Sequence, residues 1–309
     1  MTTLQTAKAA KAARTARAAG VAPGRTGPGA ATRAARRLAG GSTRLVLLAV
    51  ALFWLLPTVG LLLSSLRGPL DIQASGWWTV LTKPAQLTLH NYTNLLDDPT
   101  ITHSFLNSLL ITVPATLLVV VVGSLAGYVF AWVEFPGRDW VFLLVVGLLV
   151  VPLQVALVPV TSLFGKLGIF GSITSVVLFH VAFGLPFAIF LLRNFFAGIP
   201  RELLEAARLD GAGELWLFLR VVVPLGGPAI ASLGIFQFLW VWNDMLVALI
   251  FADPGSAPLT VALQQQTRQF GTNIDVLSSG AFLSMIIPLV VFFAFQRQFV
   301  GGVMAGALK

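Results

Sequence analysis

Long apolar stretches separated by short polar ones set the frame of this chain, and each approaches the roughly twenty residues a helix needs to cross a bilayer. The first runs from Leu45 to Leu66 and is bracketed by Arg44 and Arg67. Its apolar stretch is longer than a signal-peptide h-region and no A-x-A site follows, so it is expected to stay attached as an anchor. The second runs from about Phe105 to Val133 and stops before the turn signal Pro136-Gly137. The third is expected over Trp140 to Val160, the fourth over Ser172 to Leu192, the fifth over Val223 to Ile250 and the sixth over Val276 to Gln296. The pattern predicts an all-α integral membrane protein with six transmembrane helices. Between the first two spans, Asp71, Trp77, Trp78, Lys83, Pro84, His90, Asp97 and Asp98 suit an extracytoplasmic loop with an interfacial tryptophan pair.

Composition agrees and removes whole classes of function. The chain is 57% hydrophobic and 10% charged, whereas soluble domains carry roughly 25% charged residues. A cytosolic enzyme, a secreted domain and a disordered protein are excluded together. With no cysteine there is no disulfide framework, thiolate metal site or cysteine nucleophile. The three histidines, His90, His103 and His180, stand at unrelated spacings and read as polar side chains near an interface. No catalytic residue and no metal ligand set is expected.

Charge then orients the spans. Nine of the twenty Lys and Arg fall in residues 1–44 without one acidic residue, and this Ala/Gly/Pro/Thr-rich stretch reads as a disordered basic cytoplasmic tail. Such a tail retains its end inside and touches anionic lipid. No folded recognition module follows it, so nucleic acid is not an expected partner. With six spans and an inside N-terminus, sixteen Lys and Arg lie inside and four outside. Both termini are expected to be cytoplasmic.

The segment between the fourth and fifth spans is too long for a plain turn. It holds Arg201, Glu202, Glu205, Arg208, Asp210, Glu214 and Arg220, and it carries helix signals. Pro200 suits a first helical position, Glu202 and Glu205 complement the dipole, and Gly211 falls where a C-terminal cap belongs. Leu203, Ala206 and Ala207 share a narrow face. Periodicity leaves two readings open: a short cytoplasmic helix offered to a partner, or an interfacial helix lying against lipid.

The residues of this segment resemble a known family. Glu205-Ala206-Ala207, three residues, Gly211, nine further residues and a segment closing on Pro224 resemble the E-A-A…G…I-x-L-P loop of permease subunits in ABC importers. Val221 and Val223 stand where the family has Ile and Leu, and remain apolar. Asp210-Gly211-Ala212 with Pro224 and Pro228 resembles the carbohydrate-uptake branch of maltose-permease type. So do Phe190 to Pro200, Trp242-Asn243-Asp244 and the closing Phe299 to Lys309, which together extend the family core over about 100–309. The resemblance implies a six-span importer domain over 45–309, with a coupling-helix loop between spans four and five. It implies a cytoplasmic ABC ATPase dimer, a second permease subunit, an extracytoplasmic solute-binding protein, a carbohydrate substrate and a bacterial cytoplasmic membrane. Glu205, Ala206, Ala207, Asp210, Gly211 and Pro224 would couple to the ATPase. No cofactor is expected on this chain, and ATP-Mg belongs to the ATPase. The nearest thing to a phosphate loop, Gly20 to Thr26, is one residue short and lacks the Lys.

The alternative class is a secondary transporter or channel for a small polar solute. Such proteins place ionisable residues in several spans as relays, whereas only His180 and Asp244 fall within these spans, and no internal repeat is visible. A substrate path is expected at Trp242-Asn243-Asp244, a polar step in an apolar span, with Phe238 one turn from Trp242 as a stacking surface. The other reading of that step is structural: Asn243 and Asp244 would bond neighbouring helices and cap backbone groups where the span is bent.

Overall fold

The computed structural model describes the backbone of residues 30–270 and 274–307 and the side chains of residues 43–266 and 274–296. The expected tail therefore lies outside the described residues from 1 to 29. From residue 30 it departs from expectation: the first helix, α1, spans Ala30–Ser65. Alanine is the strongest helix former, and the run from Ala30 to Ala39 continues the apolar helix backward rather than dissolving into coil. The chain divides after Val59 into two compact units. The first holds most of α1, whose Thr43–Ser65 stretch is apolar and long enough to span a bilayer.

The second unit is helical and contains no strand among the described residues. Its order is α2 Pro69–Ala74, α3 His90–Asp97, α4 Pro99–Trp132, α5 Arg138–Leu148, α6 Leu153–Lys166, α7 Ile173–Phe196, α8 Arg201–Leu209, α9 Glu214–Trp242, α10 Leu246–Phe251, α11 Leu259–Phe270 and α12 Ile274–Ala307. Among the described residues, counting α1, five helices are long and apolar enough to cross a membrane, and α5 with α6 make a sixth crossing if that bent pair is one span.

Three boundaries differ from the apolar runs, each for a local reason. The expected third span is two helices meeting at 100°. Leu149, Val150 and Val151 close the end of α5 with bonds to carbonyls three residues back, and Pro152 then caps α6. Proline has no N–H to give and pushes its predecessor out of helical geometry. The fifth span begins at Glu214, well before Val223. Its first turns contain a π-helical stretch at Phe218–Val222, where the Val223 N–H reaches back to the Phe218 carbonyl. Pro224 follows directly, and the wider turn accommodates its missing donor. That span also ends at Trp242 instead of Ile250, and the sixth helix runs on to Ala307 past the expected tail boundary at Arg297.

Close approach of α4 and α7 holds the centre. A Cβ on Gly123 would sit 2.7 Å from the Ala188 Cβ, and one on Gly127 would sit 3.0 Å from the Leu192 Cβ. This small-xxx-small pair lets two backbones pack where lipid offers no hydrophobic drive between helices. Around it Val119, Tyr128, Ala188, Leu192, Phe196, Leu204, Phe218 and Leu233 form one core cluster. A second, including Ile111, Phe164, Val176, Phe179, Val241, Val247 and Phe251, lies toward α10.

Polar bonds fasten the connections outside the long helices. Arg67, 1% exposed, donates to the Gln86 side chain, to the Ser75 carbonyl and hydroxyl and to the Asp71 carbonyl, which organises residues 67–86. Trp77 and Trp78 meet edge to face at 5.9 Å within that segment. The loop after α10 is held by Asn107, whose amide donates to the Gly255 and Ala257 carbonyls, and by Ser256, whose hydroxyl donates to the Gly171 carbonyl.

Candidate functional site

Helix α8 carries the motif residues, and its ends explain its shape. Pro200 occupies the N-cap position, one place earlier than the first helical residue. Glu202 sits in the first turn, and the Arg201 Nε donates to the Glu205 carboxylate at 2.8 Å on an exposed face. At the other end the Gly211 N–H reaches the Arg208 carbonyl and the Ala212 N–H reaches the Ala207 carbonyl, both at 3.0 Å. With Gly211 at φ +86°, this is the paired-bond helix stop that a left-handed residue permits. The expected cap at Gly211 is the observed one.

One face of α8 is sunk into the protein and the other is open. Leu204 is fully buried with Phe196 and Phe218. Leu203 is 47% exposed, Ala206 is exposed and Ala207 is half-buried. The adjoining turns add Leu209 at 89% exposed and Leu215 and Trp216 more than half exposed. Pro224 is not on this face; it lies in α9 just past the π-helical stretch.

Two residues that the sequence reading did not single out as site residues lock α8 in place. The Arg208 Nε and Nη2 donate to the two oxygens of Glu214 at 3.0 and 3.3 Å. The Tyr128 hydroxyl of α4 donates to the same carboxylate. Bonding to Glu214, opposed by partial burial, holds the Arg208 guanidinium above its ordinary value. Glu214 had a sequence signal, an acid opening a span where the helix dipole favours one. Tyr128 had none, because its partner is far away in sequence.

The residues expected to line the substrate path come together as a joint. Trp242 is 4% exposed; its indole N–H donates to the Ser284 carbonyl and its ring stacks on Phe238 with centroids 5.8 Å apart. Phe105 meets the same ring edge-on at 5.9 Å. Asn243 closes α9, its amide donating to the Leu239 carbonyl. Asp244 Oδ2 accepts from the N–H groups of Val247 and Ala248 and so caps α10, while its backbone carbonyl accepts from Thr260. His180 is 1% exposed, not interfacial: its Nδ1 donates to the Val176 carbonyl and its Nε2 stands 3.7 Å from Asp244 Oδ2. The cavity here is about 10 Å³, the room of one water and far short of a sugar ring. The geometry matches the structural reading of this polar step.

Helices apolar and long enough to cross a bilayer, with a capped, half-exposed helix set between two of them, define a membrane-protein fold. Residues 119–303 match the family described as binding-protein-dependent transport system inner membrane component, and the chain belongs to that family. It is an inner-membrane component of such a transport system. The chain is 47% identical over 270 residues to the osmoprotective compounds uptake permease protein GgtD of Synechocystis sp., covering 86% of this chain and 91% of that relative. It is 44% identical to the alpha-glucoside transport system permease protein AglG of Rhizobium meliloti, covering 74% of this chain and 62% of that relative, less than two thirds of its length. The fold is similar to a chain of a bacterial ABC transporter involved in the import of the acidic polysaccharide alginate, with TM-score 0.73 at 20% identity over 86% of this chain and 97% of that one.

Proposed function

We propose that this chain is one of two membrane subunits of an importer that carries a sugar or related carbohydrate across the bacterial cytoplasmic membrane. An extracytoplasmic solute-binding protein delivers the solute, and a cytoplasmic ABC ATPase dimer supplies the drive by using ATP-Mg. The observation that carries the coupling role is α8: a short helix anchored by Leu204, stopped at Gly211 and leaving Leu203, Ala206 and Glu205 open. A groove on the ATPase is its proposed seat, and Glu205 and Asp210 are its proposed charged contacts. The count of sixteen basic residues to four supports six crossings with both termini cytoplasmic. The carbohydrate reading rests on the relatives, one of which is named for α-glucosides. Copurification tests the assembly: the tagged chain should bring down an ATPase subunit, and recovery without one overturns the coupling role. Growth of a deletion strain on single carbon sources tests the solute class. Normal growth on every carbohydrate that supports the parent overturns it.

A further inference from the structure

A groove between α7 and α9, separate from the Trp242 joint, has a volume of about 280 Å³ and is lined by Phe183, Gly184, Phe187, Phe236, Gln237 and Trp240. Gln237 is 4% exposed, yet its Nε2 has no hydrogen-bond partner among the described residues. Buried polar groups are nearly always bonded, so an amide donor left open beside a groove marks a place where a ligand atom completes the bond. Gly184 keeps that place free. A Cβ there would lie 2.8 Å from both Nε2 and Oε1 of Gln237.

The rings around the amide are backed from behind. The Trp240 ring meets the buried His180 ring edge-on at 5.2 Å, and Phe183 stacks on the buried Phe179 at 4.7 Å. Their orientations are set before any ligand arrives. Gly184 lies eleven residues along α7 from Ile173, roughly 16 Å down a helix, which is about the middle of a 30 Å hydrocarbon layer. Acyl chains can fill an aromatic groove but cannot accept a hydrogen bond at that depth. A pyranose can do both, because its C–H face suits an aromatic ring and its hydroxyls suit an amide.

We infer that this groove is a solute-contacting site on this subunit, taking one pyranose ring, with Gln237 Nε2 donating to a hydroxyl and Trp240, Phe183 and Phe187 offering faces to the ring. The inference rests on the carbohydrate reading above. The volume suits a single ring, so a longer saccharide would place one unit here at a time.

The test uses the complete transporter in proteoliposomes, with radiolabelled sucrose and trehalose as α-glucoside probes. Gln237→Leu and Trp240→Leu should each raise KM about tenfold or more, and Gly184→Ala should do so by pressing on the amide. Val158→Leu, on an exposed face of α6, should leave uptake unchanged. A second readout avoids dependence on turnover: a single cysteine at Phe187 should react with a thiosulfonate reagent, and saturating probe should slow that reaction several-fold. Wild-type KM and unprotected labelling, in a transporter that takes up either probe, overturn the site alone. Loss of assembled transporter in Gln237→Leu, restored by Gln237→Asn without a change in KM, also overturns it and assigns the amide to packing against the second permease. No uptake of either probe by the wild type, together with normal growth of the deletion strain on every carbohydrate, overturns the carbohydrate reading and the site with it.

Discussion

At Gly211 it is the φ of +86° that disfavours a side chain, since no atom of the described residues lies within 4 Å of where a Cβ would stand. The cost of replacing it is therefore backbone strain and not crowding. Gly211→Val should destabilise the stop by about 1–2 kcal/mol or more, because β-branched residues avoid the left-handed region. Gly211→Asn should be much milder. The expected outcome is a Val variant that inserts in the membrane but loses coupled uptake, with ATPase stimulation by the loaded binding protein as the measurement. Equal behaviour of Val and Asn would remove the conformational argument. Asp244 supplies the complementary case. Asp244→Asn keeps a side-chain oxygen that can accept from Val247 or Ala248, whereas Asp244→Leu removes the cap at a cost near 1 kcal/mol and leaves His180 facing a hydrocarbon. The Leu variant should lower the yield of folded complex on size-exclusion chromatography, and neither variant should alter which solute is carried. A changed substrate range with normal yield would return Asp244 to the solute path.

At the scale of elements, what could be read in advance was whatever depends on neighbours in sequence. Run length revealed the apolar spans, and the residues around Gly211 announced a helix stop that the structure contains. The bend before Pro152 was hidden because a hydropathy window sees Leu149 to Val151 only as more apolar chain. The halt at Trp242 was hidden for the same reason, although Asn243 and Asp244 are strong capping residues and the structural alternative for them was visible. The α4–α7 contact was not legible at all, because Gly123 and Gly127 acquire meaning only opposite Ala188 and Leu192. Gly123→Leu should force those helices apart and cost about 1–3 kcal/mol, seen as a lower midpoint in a thermal aggregation assay in detergent. Gly227→Leu, with no atom of the described residues within 4 Å of its Cβ position, should shift the midpoint far less.

For the whole molecule, the proposed orientation can be checked without background correction because the chain has no cysteine. Single thiols at Thr79 and Gln265 should react with a membrane-impermeant maleimide on intact cells, and thiols at Arg201 and Asp139 should react only after permeabilisation. The reverse pattern would invert the charge argument and place α8 on the wrong side for an ATPase. The Asp139 label reports the side reached after α4 and not whether α5 and α6 make one crossing. Pairing the labels with Lys166→Cys, at the far end of α6, settles that point.

The fastening of α8 has a mechanical meaning. Arg208, Glu214 and Tyr128 tie the short helix to the base of α9 and to α4, so a force on α8 acts on a clamp and not on a tether. Helix α9 has 29 residues, a rod of about 44 Å at 1.5 Å per residue. A tilt of about 10° at that clamped base sweeps the far end through roughly 8 Å on the same geometry. If an ATPase seats α8 as proposed, small angular strokes at one membrane face would become ångström-scale openings near the other, with α9 as the lever arm.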